Sequence, residues 1–230
     1  MEVQTKTDYL CRYCDKTFQR ESTLAVHLCE QKRRYQEQNE IGVQIGLQSY
    51  LRFYEITQGS ARTKTFDDFA KSPYYRAFVK YGRYCQNTRV INVPRFTDWL
   101  LKHNKKIDNW AKDSTYSEYL ADYIRIENPK DAIQRALEKA LTWSEETGHP
   151  AHDYLRYGNT NAVCYAITTG RISPWIVYNT NSGQQFLSEL NQEQISIIWK
   201  MIDPDFWHKK FQDYLADQEY VREVMTQEKW

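Results

Sequence analysis

The sequence predicts a mainly α-helical protein, with a small N-terminal metal-binding module followed by a multi-helix domain. Three observations lead to this prediction. Cysteine and histidine residues cluster within the first 35 residues, apolar residues recur at helical spacing further along, and four residue–proline pairs resemble helix starts. We therefore expect a module over residues 1–35 and a helical domain over residues 36–230. The helical domain could be subdivided near residues 107–128.

The N-terminal module has the spacing of a zinc site. The two residues between Cys11 and Cys14 let both thiolates of a tight turn hold one tetrahedral ion. Phe18, Leu24 and His27 follow at intervals that resemble the two-Cys, two-His zinc finger. A unit this small has almost no core, so bound zinc would supply its folding free energy. A redox CxxC pair would not account for the three later residues.

The fourth zinc ligand departs from the zinc-finger family. The family places it four to six residues after His27, where this chain has Gln31–Arg33, none of which binds zinc. Cys29 is the nearest candidate, but residues i and i+2 point to different sides of a helix. If Cys29 binds, the helix must end near His27. The alternatives are a distant residue, such as Cys85 or another histidine, and a water molecule in an open position.

The remaining elements are expected to be helices. Apolar residues recur at three- and four-residue steps from Val43 to Tyr54, which indicates a helix after the polar segment 32–40. Further helices are expected at 73–85, 94–104, 115–125, 129–146, 161–168, 174–180, 191–202 and 204–226. Proline is tolerated in a first helical turn, and the preceding side chain can cap it. Such pairs are Ser72-Pro73, Asn128-Pro129, Ser173-Pro174 and Asp203-Pro204. The run Val90–Val93 could form a strand.

The net charge of +1 hides an asymmetry between the two halves of the chain. Residues 1–106 contain 19 Lys and Arg against 11 Asp and Glu, a net charge of +8, whereas residues 107–230 contain 12 against 19, a net charge of −7. A basic half joined to a metal module predicts an anionic partner such as nucleic acid. The acidic half is free to face a protein partner. Ordinary solvated helix surfaces would account for the same charges.

Clusters of cations next to tyrosines indicate where nucleic acid would bind, with DNA expected over RNA. The candidate phosphate contacts are Lys16, Arg20, Lys32, Arg33, Arg34, Arg62, Lys64, Lys102, Lys105 and Lys106. A helix-turn-helix interpretation of residues 162–179 would add base contacts. Its candidates are Arg171, Ser173, Trp175 and Asn179, although two core helices joined by a glycine turn explain this segment better.

Several function classes find no support in the sequence. No apolar run approaches the roughly 18 residues of a membrane span, and the N-terminus does not resemble a signal peptide, so a cytoplasmic location is expected. Five cysteines, three of them at metal spacing, suit a reducing compartment. The segment Glu145–Asp153 contains His149 and His152 but matches no hydrolase motif, and no phosphate-binding glycine loop is present.

Four sequence segments, spread over most of the chain, carry a second resemblance. They are Cys11-x-x-Cys14 with its continuation to Arg34, then Tyr50–Tyr54, Ser72–Phe78 and Gly170–Trp175. In these segments the chain resembles a group of zinc-finger proteins encoded by large tailed bacteriophages. The resemblance implies a viral protein in a host cytoplasm and supplies no activity.

The leading hypothesis from the sequence is a non-enzymatic, zinc-containing nucleic-acid-binding accessory protein of phage replication, recombination or transcription. The first alternative is a protein–protein adaptor or virion assembly protein that uses the finger as a structural clip. The second alternative is a metal-dependent nuclease.

Overall fold

The computed structural model of the protein describes residues 8–59 and 63–230. The chain divides into two compact units, the first ending at Lys112 and the second spanning Asp113–Trp230. Helices dominate both units, and the sheet seen among the described residues is a two-stranded hairpin near the N-terminus. The prediction of a mainly α-helical protein that begins with a small Cys/His module is confirmed.

The first unit begins with the hairpin and continues as helices. Its elements are β1 (Tyr9–Leu10), β2 (Thr17–Phe18), α1 (Glu21–Val26), α2 (Glu30–Gln36), α3 (Ile41–Gln58), α4 (Phe66–Lys71), α5 (Tyr75–Thr88), α6 (Val93–Lys102) and a 3-10 turn (Ile107–Asn109). Helix α4 was not expected from the sequence, because six residues are too few to show helical periodicity. Its start is marked instead by a capping box between Thr65 and Asp68.

Helices α3 and α5 pack with their backbones in contact. A Cβ atom added to Gly82 would overlap the carbonyl oxygen of Gly42, and one added to Gly46 would lie 2.7 Å from the carbonyl oxygen of Phe78. Glycine is therefore required at this crossing, because any side chain would push the two helices apart. The crossing fixes α5 in place, including the outer face that carries several cations.

The core of the first unit is aromatic. Trp110 is fully buried, and its ring lies 5.6 Å from that of Phe78 and 5.3 Å from that of Tyr81. The indole Nε1 donates a hydrogen bond to the carbonyl oxygen of Lys105 at 2.8 Å. The Tyr81 hydroxyl lies 3.0 Å from the Thr97 hydroxyl, so the polar tip of this ring is also satisfied inside the core.

The second unit consists of helices and one further 3-10 turn in its described residues. Its elements are α7 (Asp113–Ile126), α8 (Pro129–Thr147), a 3-10 turn (Ala151–Asp153), α9 (Tyr154–Tyr157), α10 (Thr160–Thr168), α11 (Pro174–Asn179), α12 (Asn181–Glu189), α13 (Gln192–Ile202), α14 (Pro204–Asp213) and α15 (Leu215–Gln227). Trp175 and Trp207 are fully buried with ring centroids 5.9 Å apart. They form the aromatic centre of this unit together with Phe211.

A buried ion pair, together with the hydrogen bonds of its two side chains, connects α8 to the turn before α11. The Glu127 side chain is fully buried and accepts hydrogen bonds from Arg135 and Ser173, each at 2.5 Å. The Arg135 Nε atom also donates to the carbonyl oxygen of Gly170 at 2.9 Å. Burial raises the pKa of Glu127, and the Arg135 guanidinium opposes that shift. Both carboxylate oxygens of Glu127 thus have partners inside the unit.

The helix starts predicted from residue–proline pairs are found at three of the four positions. Asn128, Ser173 and Asp203 each accept a backbone N–H bond at the start of a helix. Ser72 instead ends α4, and α5 begins at Tyr75.

Two other expectations about the elements were wrong. The run Val90–Val93 is not a strand, because Asn92 adopts a left-handed φ of 53° and caps α6. The helix expected over 204–226 is broken at Tyr214, whose backbone leaves the helical region. Across the described residues, no helix combines the length and the apolar character needed to cross a membrane.

Candidate metal centre and basic groove

The first two cysteines of the candidate metal centre lie on a tight knuckle between β1 and β2. The backbone N–H of Cys11 donates to the carbonyl oxygen of Lys16 at 2.9 Å, and the N–H of Asp15 donates to the carbonyl oxygen of Cys11 at 2.9 Å. Asp15 adopts a left-handed φ of 58°, which reverses the chain. The knuckle therefore holds Cys11 and Cys14 on one side of the hairpin.

The last two residues of the centre lie on an extended segment between two helices. Helix α1 ends at Val26, and His27 takes an extended conformation with φ −67° and ψ 117°. Cys29 is also extended, with φ −81° and ψ 163°. Residues i and i+2 share one face of an extended segment. His27 and Cys29 can therefore face the same ion, which the two-residue interval forbids on a continuous helix.

The four side chains converge on one point. The sulfur atoms of Cys11, Cys14 and Cys29 and a ring nitrogen of His27 all lie within 4.8 Å of one another. A tetrahedral zinc ion with Zn–S bonds of about 2.3 Å would place its sulfur ligands about 3.8 Å apart. The group is thus compatible with metal binding after a small closure. Among residues 8–59 and 63–230, no other group of three or more His, Cys, Asp or Glu side chains is close enough together to hold a metal ion.

Cys85, the distant alternative for the fourth ligand, is not part of the cluster. Cys85 is buried in α5, and burial raises the pKa of its thiol to about 12. Cys29 is the residue that the fold brings to the cluster.

The backbone of the knuckle and the neighbouring sulfur atoms shift the pKa values of Cys11 and Cys14. The backbone N–H of Tyr13 lowers the pKa of the Cys11 thiol, against the effect of burial. The N–H of Lys16 also lowers the pKa of Cys14, but burial and the nearby Cys29 and Cys11 sulfurs outweigh it and raise that pKa. If all three thiols lost their protons, the thiolates would repel one another, so that state requires a cation at the centre of the cluster.

Cys29 has a second role, because it is also the N-cap of α2. Its Sγ atom accepts a hydrogen bond from the backbone N–H of Lys32 at 3.3 Å. Helix α2 is then held against α4 and α5. Arg34 donates to the carbonyl oxygen of Ala70 in α4 at 2.5 Å, and Glu30 accepts a hydrogen bond from Arg76 in α5 at 2.9 Å. The residue that would complete the metal site therefore also starts the helix that lies next to α5.

A groove of about 640 Å³ separates α2 from α5. We call it the α2–α5 groove, and the residues that line it are Glu30, Arg33, Arg34, Glu37, Tyr75, Arg76, Val79, Lys80, Arg83, Tyr84, Asn87 and Ala111. Some of its cations have internal partners, since Arg76 pairs with Glu30 at 2.9 Å and Arg83 pairs with Glu40 at 2.8 Å. Because five cationic side chains line the groove against two carboxylates, the groove still has an excess of positive charge.

Two cations of this groove stand apart from the others. Arg33 and Lys80 are exposed and make no ion pair with another described residue. Their charges are therefore available to an external anion.

The cations predicted as phosphate contacts are distributed widely. Arg33 lies in the groove, whereas Arg34 is held by internal partners. Lys32 donates to the carbonyl oxygen of His27 at 3.3 Å, beside the metal cluster. The Lys64 ammonium lies 5.1 Å from the Tyr54 ring centroid, and that of Lys105 lies 5.5 Å from the Trp99 ring centroid. The exposed cations are Lys16, Arg20, Lys102 and Lys106, and Arg62 lies outside the described residues.

Three cations of the groove lie near the basic clusters in the sequence but were not among the predicted phosphate contacts. Arg76, Lys80 and Arg83 follow one another at i, i+4 and i+7, so they share a face of α5. That spacing was the available signal. Their proximity to Arg33 is a tertiary contact, which the spacing alone does not reveal.

Two other candidate segments have different roles. Ser173, Trp175 and Asn179 are buried in the second unit, so α11 cannot present them to a DNA groove. The His149 ring stacks on Trp143 at 5.6 Å with an interplanar angle of 14°.

Comparisons with protein-family models, curated proteins and solved structures find no match for this chain. The resemblance to bacteriophage zinc-finger proteins gains no support from them.

Proposed function

We propose that the protein is a non-enzymatic, zinc-containing accessory protein that binds nucleic acid, DNA in preference to RNA. One observation carries this proposal. The Cys29 that completes a four-residue metal cluster also begins the helix that borders a basic groove. The metal site thus supports the element that would meet phosphate.

Zinc is the metal that this donor set fits best. Three sulfur ligands and one imidazole nitrogen favour a tetrahedral zinc ion over the hard cations, which prefer oxygen ligands. Four protein ligands leave no open position for substrate or activated water, which is the arrangement of structural zinc sites. Elemental analysis of the purified protein should find one zinc per chain. Cobalt substitution should give the visible absorption of a tetrahedral, sulfur-rich site.

Nucleic acid is the partner that the charges fit best. Lys16, Arg20, Lys102 and Lys106 are exposed in the first unit, in addition to the cations of the α2–α5 groove. Phosphate contacts by Lys and Arg release counterions and make binding steeply dependent on salt. A replication, recombination or transcription complex is the setting we propose, in the cytoplasm of a host cell if the protein is viral.

The direct test is binding of the full-length protein to fluorescently labelled oligonucleotides. Anisotropy would be measured with single- and double-stranded DNA and with RNA over a series of NaCl concentrations. We expect log K to fall linearly with log [NaCl], with a slope set by the number of phosphates neutralised. If no oligonucleotide binds even at low salt, the proposed function is wrong.

An adaptor function is the alternative that such a negative result would favour. The second unit is acidic, with 11 Lys and Arg against 18 Asp and Glu in residues 113–230. In that case the zinc cluster would be a structural clip and this acidic unit would face a protein partner. A nuclease function would require plasmid cleavage with Mg²⁺ or Mn²⁺ that His149→Ala abolishes.

A further inference from the structure

Two hydrogen-bond donors are buried at the α2–α5 groove without an acceptor. Tyr75 is 4% exposed, yet its hydroxyl makes no hydrogen bond with the described part of the chain. The Nε atom of Arg34 is buried and unpaired in the same way. Both side chains line the groove. A buried polar group without a partner costs about 1–3 kcal/mol, so each of these donors requires an acceptor that the described protein atoms do not supply, either a water molecule or a ligand.

The surroundings of the Tyr75 hydroxyl favour an acceptor over a second donor. Burial raises the pKa of Tyr75, as does Glu37, so the hydroxyl keeps its proton and can donate it. The Arg34 guanidinium lies over the Tyr75 ring, 4.4 Å from its centroid. The missing partner therefore accepts hydrogen bonds, and it lies beside a cation.

The charges along the groove favour an anion as that acceptor. Five cationic side chains line the groove against two carboxylates, Glu30 and Glu37, and both carboxylates are held in internal ion pairs. Arg33 and Lys80 remain exposed, without an ion pair to a described residue.

We propose that the α2–α5 groove is a phosphate-binding site for the backbone of the nucleic acid, an inference that rests on the proposed function. A phosphodiester oxygen accepts hydrogen bonds from the Tyr75 hydroxyl and the Arg34 Nε atom. Arg33 and Lys80 neutralise its charge from the two sides of the groove.

The size of the groove suits more than one phosphate. Arg76 and Arg83 are seven residue steps apart in α5, with Lys80 between them, which corresponds to roughly 10 Å along the helix axis. One strand of duplex DNA carries a phosphate about every 3.4 Å of its axis. The groove volume of about 640 Å³ lies in the range of sites that hold a nucleotide-sized ligand. A short stretch of backbone therefore fits along α5.

The sharpest test removes one hydroxyl. Tyr75→Phe deletes the proposed donor and keeps the ring, so binding of a labelled oligonucleotide should weaken about tenfold, as expected for a hydrogen bond to a charged group. Thermal stability should not fall, because the lost hydroxyl has no partner within the protein. Tyr154→Phe is the matched control. Its hydroxyl is also buried and unpartnered among the described residues, but it lies in the second unit, and we expect binding to be unchanged.

A second pair of variants tests the cations. Arg33→Gln and Lys80→Gln should each weaken binding and reduce the magnitude of the salt slope by about one. Lys209→Gln removes an exposed lysine from the second unit and should change neither quantity. If the oligonucleotide binds equally well to the wild type, to Tyr75→Phe and to Lys80→Gln, the groove is not the site, although the proposed function stands.

Inorganic phosphate separates this inference from the proposed function. We expect phosphate to compete with the oligonucleotide for the wild type at millimolar concentration, and to compete less well for Tyr75→Phe. If phosphate binds in a way that depends on Tyr75 but no oligonucleotide binds, the groove is an anion site and the nucleic-acid function is wrong. If phosphate competes equally well with Tyr75→Phe, the hydroxyl does not contact the anion and the inference is overturned.

Discussion

The two units use their charged residues in opposite ways. Residues 1–112 contain 20 Lys and Arg against 12 Asp and Glu, a net charge of +8, and residues 113–230 have a net charge of −7. The first unit leaves Arg33 and Lys80 exposed at a groove, whereas the second buries Arg135 against Glu127. A buried pair fixes the architecture of a unit, while exposed cations are available to a partner. This contrast is the reason why we propose anion binding for the first unit.

The means of stabilisation differ as well. The first unit starts with a hairpin and a six-residue helix that has no buried apolar residue. These elements lead to the cluster of Cys11, Cys14, His27 and Cys29. The second unit is organised around buried tryptophans and the Glu127–Arg135 pair. Perturbations at matched places in the two units should therefore have separable effects.

Loss of a metal ligand should have the largest effect, confined to the first unit. Cys29→Ala removes both a ligand and the cap of α2, and we expect zinc affinity to fall by roughly a hundredfold or more, since even supporting residues of metal sites contribute 10–100-fold. Hydrogen exchange should accelerate in residues 8–36 and stay unchanged in the second unit. The control Cys164→Ala alters a buried thiol outside the cluster and should retain one zinc per chain. Full zinc occupancy in Cys29→Ala would exclude Cys29 as a ligand.

Removal of one partner of the buried ion pair should be the largest effect in the second unit. Arg135→Met leaves the Glu127 carboxylate buried without its cation, which costs about 3–5 kcal/mol of the free energy of unfolding. Without the guanidinium, the pKa of Glu127 in the folded state rises further above its unfolded value. A carboxyl of that kind takes up its proton on folding, so the loss of stability should be greater at pH 8 and smaller at pH 5. Urea unfolding at the two pH values measures this, and an equal loss at both would contradict a buried charge.

A methyl group at the helix crossing should destabilise the first unit. Gly82→Ala places a Cβ atom against the backbone of Gly42, and we expect a loss of about 1–3 kcal/mol despite the higher helix propensity of alanine. Gly148→Ala is the matched variant in the second unit, because its φ of 76° strains alanine but the space around it is open. That variant should lose about 1 kcal/mol. Equal effects would show that the crossing can relax.

The smallest effects should come from the two capping boxes, one in each unit. Thr65 caps α4 and Asn191 caps α13, and in each case the backbone N–H of the capping residue donates to the side chain of the third helical residue. Replacing either residue with alanine should cost about 1 kcal/mol. Hydrogen exchange should show the local opening within α4 for Thr65→Ala and within α13 for Asn191→Ala. Opening of both helices in one variant would show that the two units unfold together.

The sequence was most informative where a local pattern decides the structure. The intervals among Cys11, Cys14 and His27 indicated the cluster because a knuckle and a short helix depend on nearby residues. Asn128, Ser173 and Asp203 marked helix starts through bonds to their own backbone neighbourhood. By contrast, the sequence predicted the end of the helix near His27 only on the condition that Cys29 binds the metal.

The sequence was least informative where distant parts of the chain decide the structure. Val90–Val93 has the β-branched residues of a strand, but a left-handed Asn92 turns the chain into α6. The α2–α5 groove needs Arg33 from one helix and Lys80 from another, and their proximity follows from tertiary packing. The unpaired Tyr75 hydroxyl has no sequence signal at all, because a tyrosine that satisfies its hydroxyl looks the same in the sequence.

The contact of α3 with α5 through glycine has a consequence for the evolution of this chain. Surface cations can be exchanged with little effect on the fold, whereas Gly42, Gly46 and Gly82 leave no room for a side chain. Divergent relatives should therefore keep small residues at these positions after most other similarity has disappeared. The intervals G-x3-G-x35-G, together with C-x2-C-x12-H-x-C, form a signature by which such relatives can be recognised.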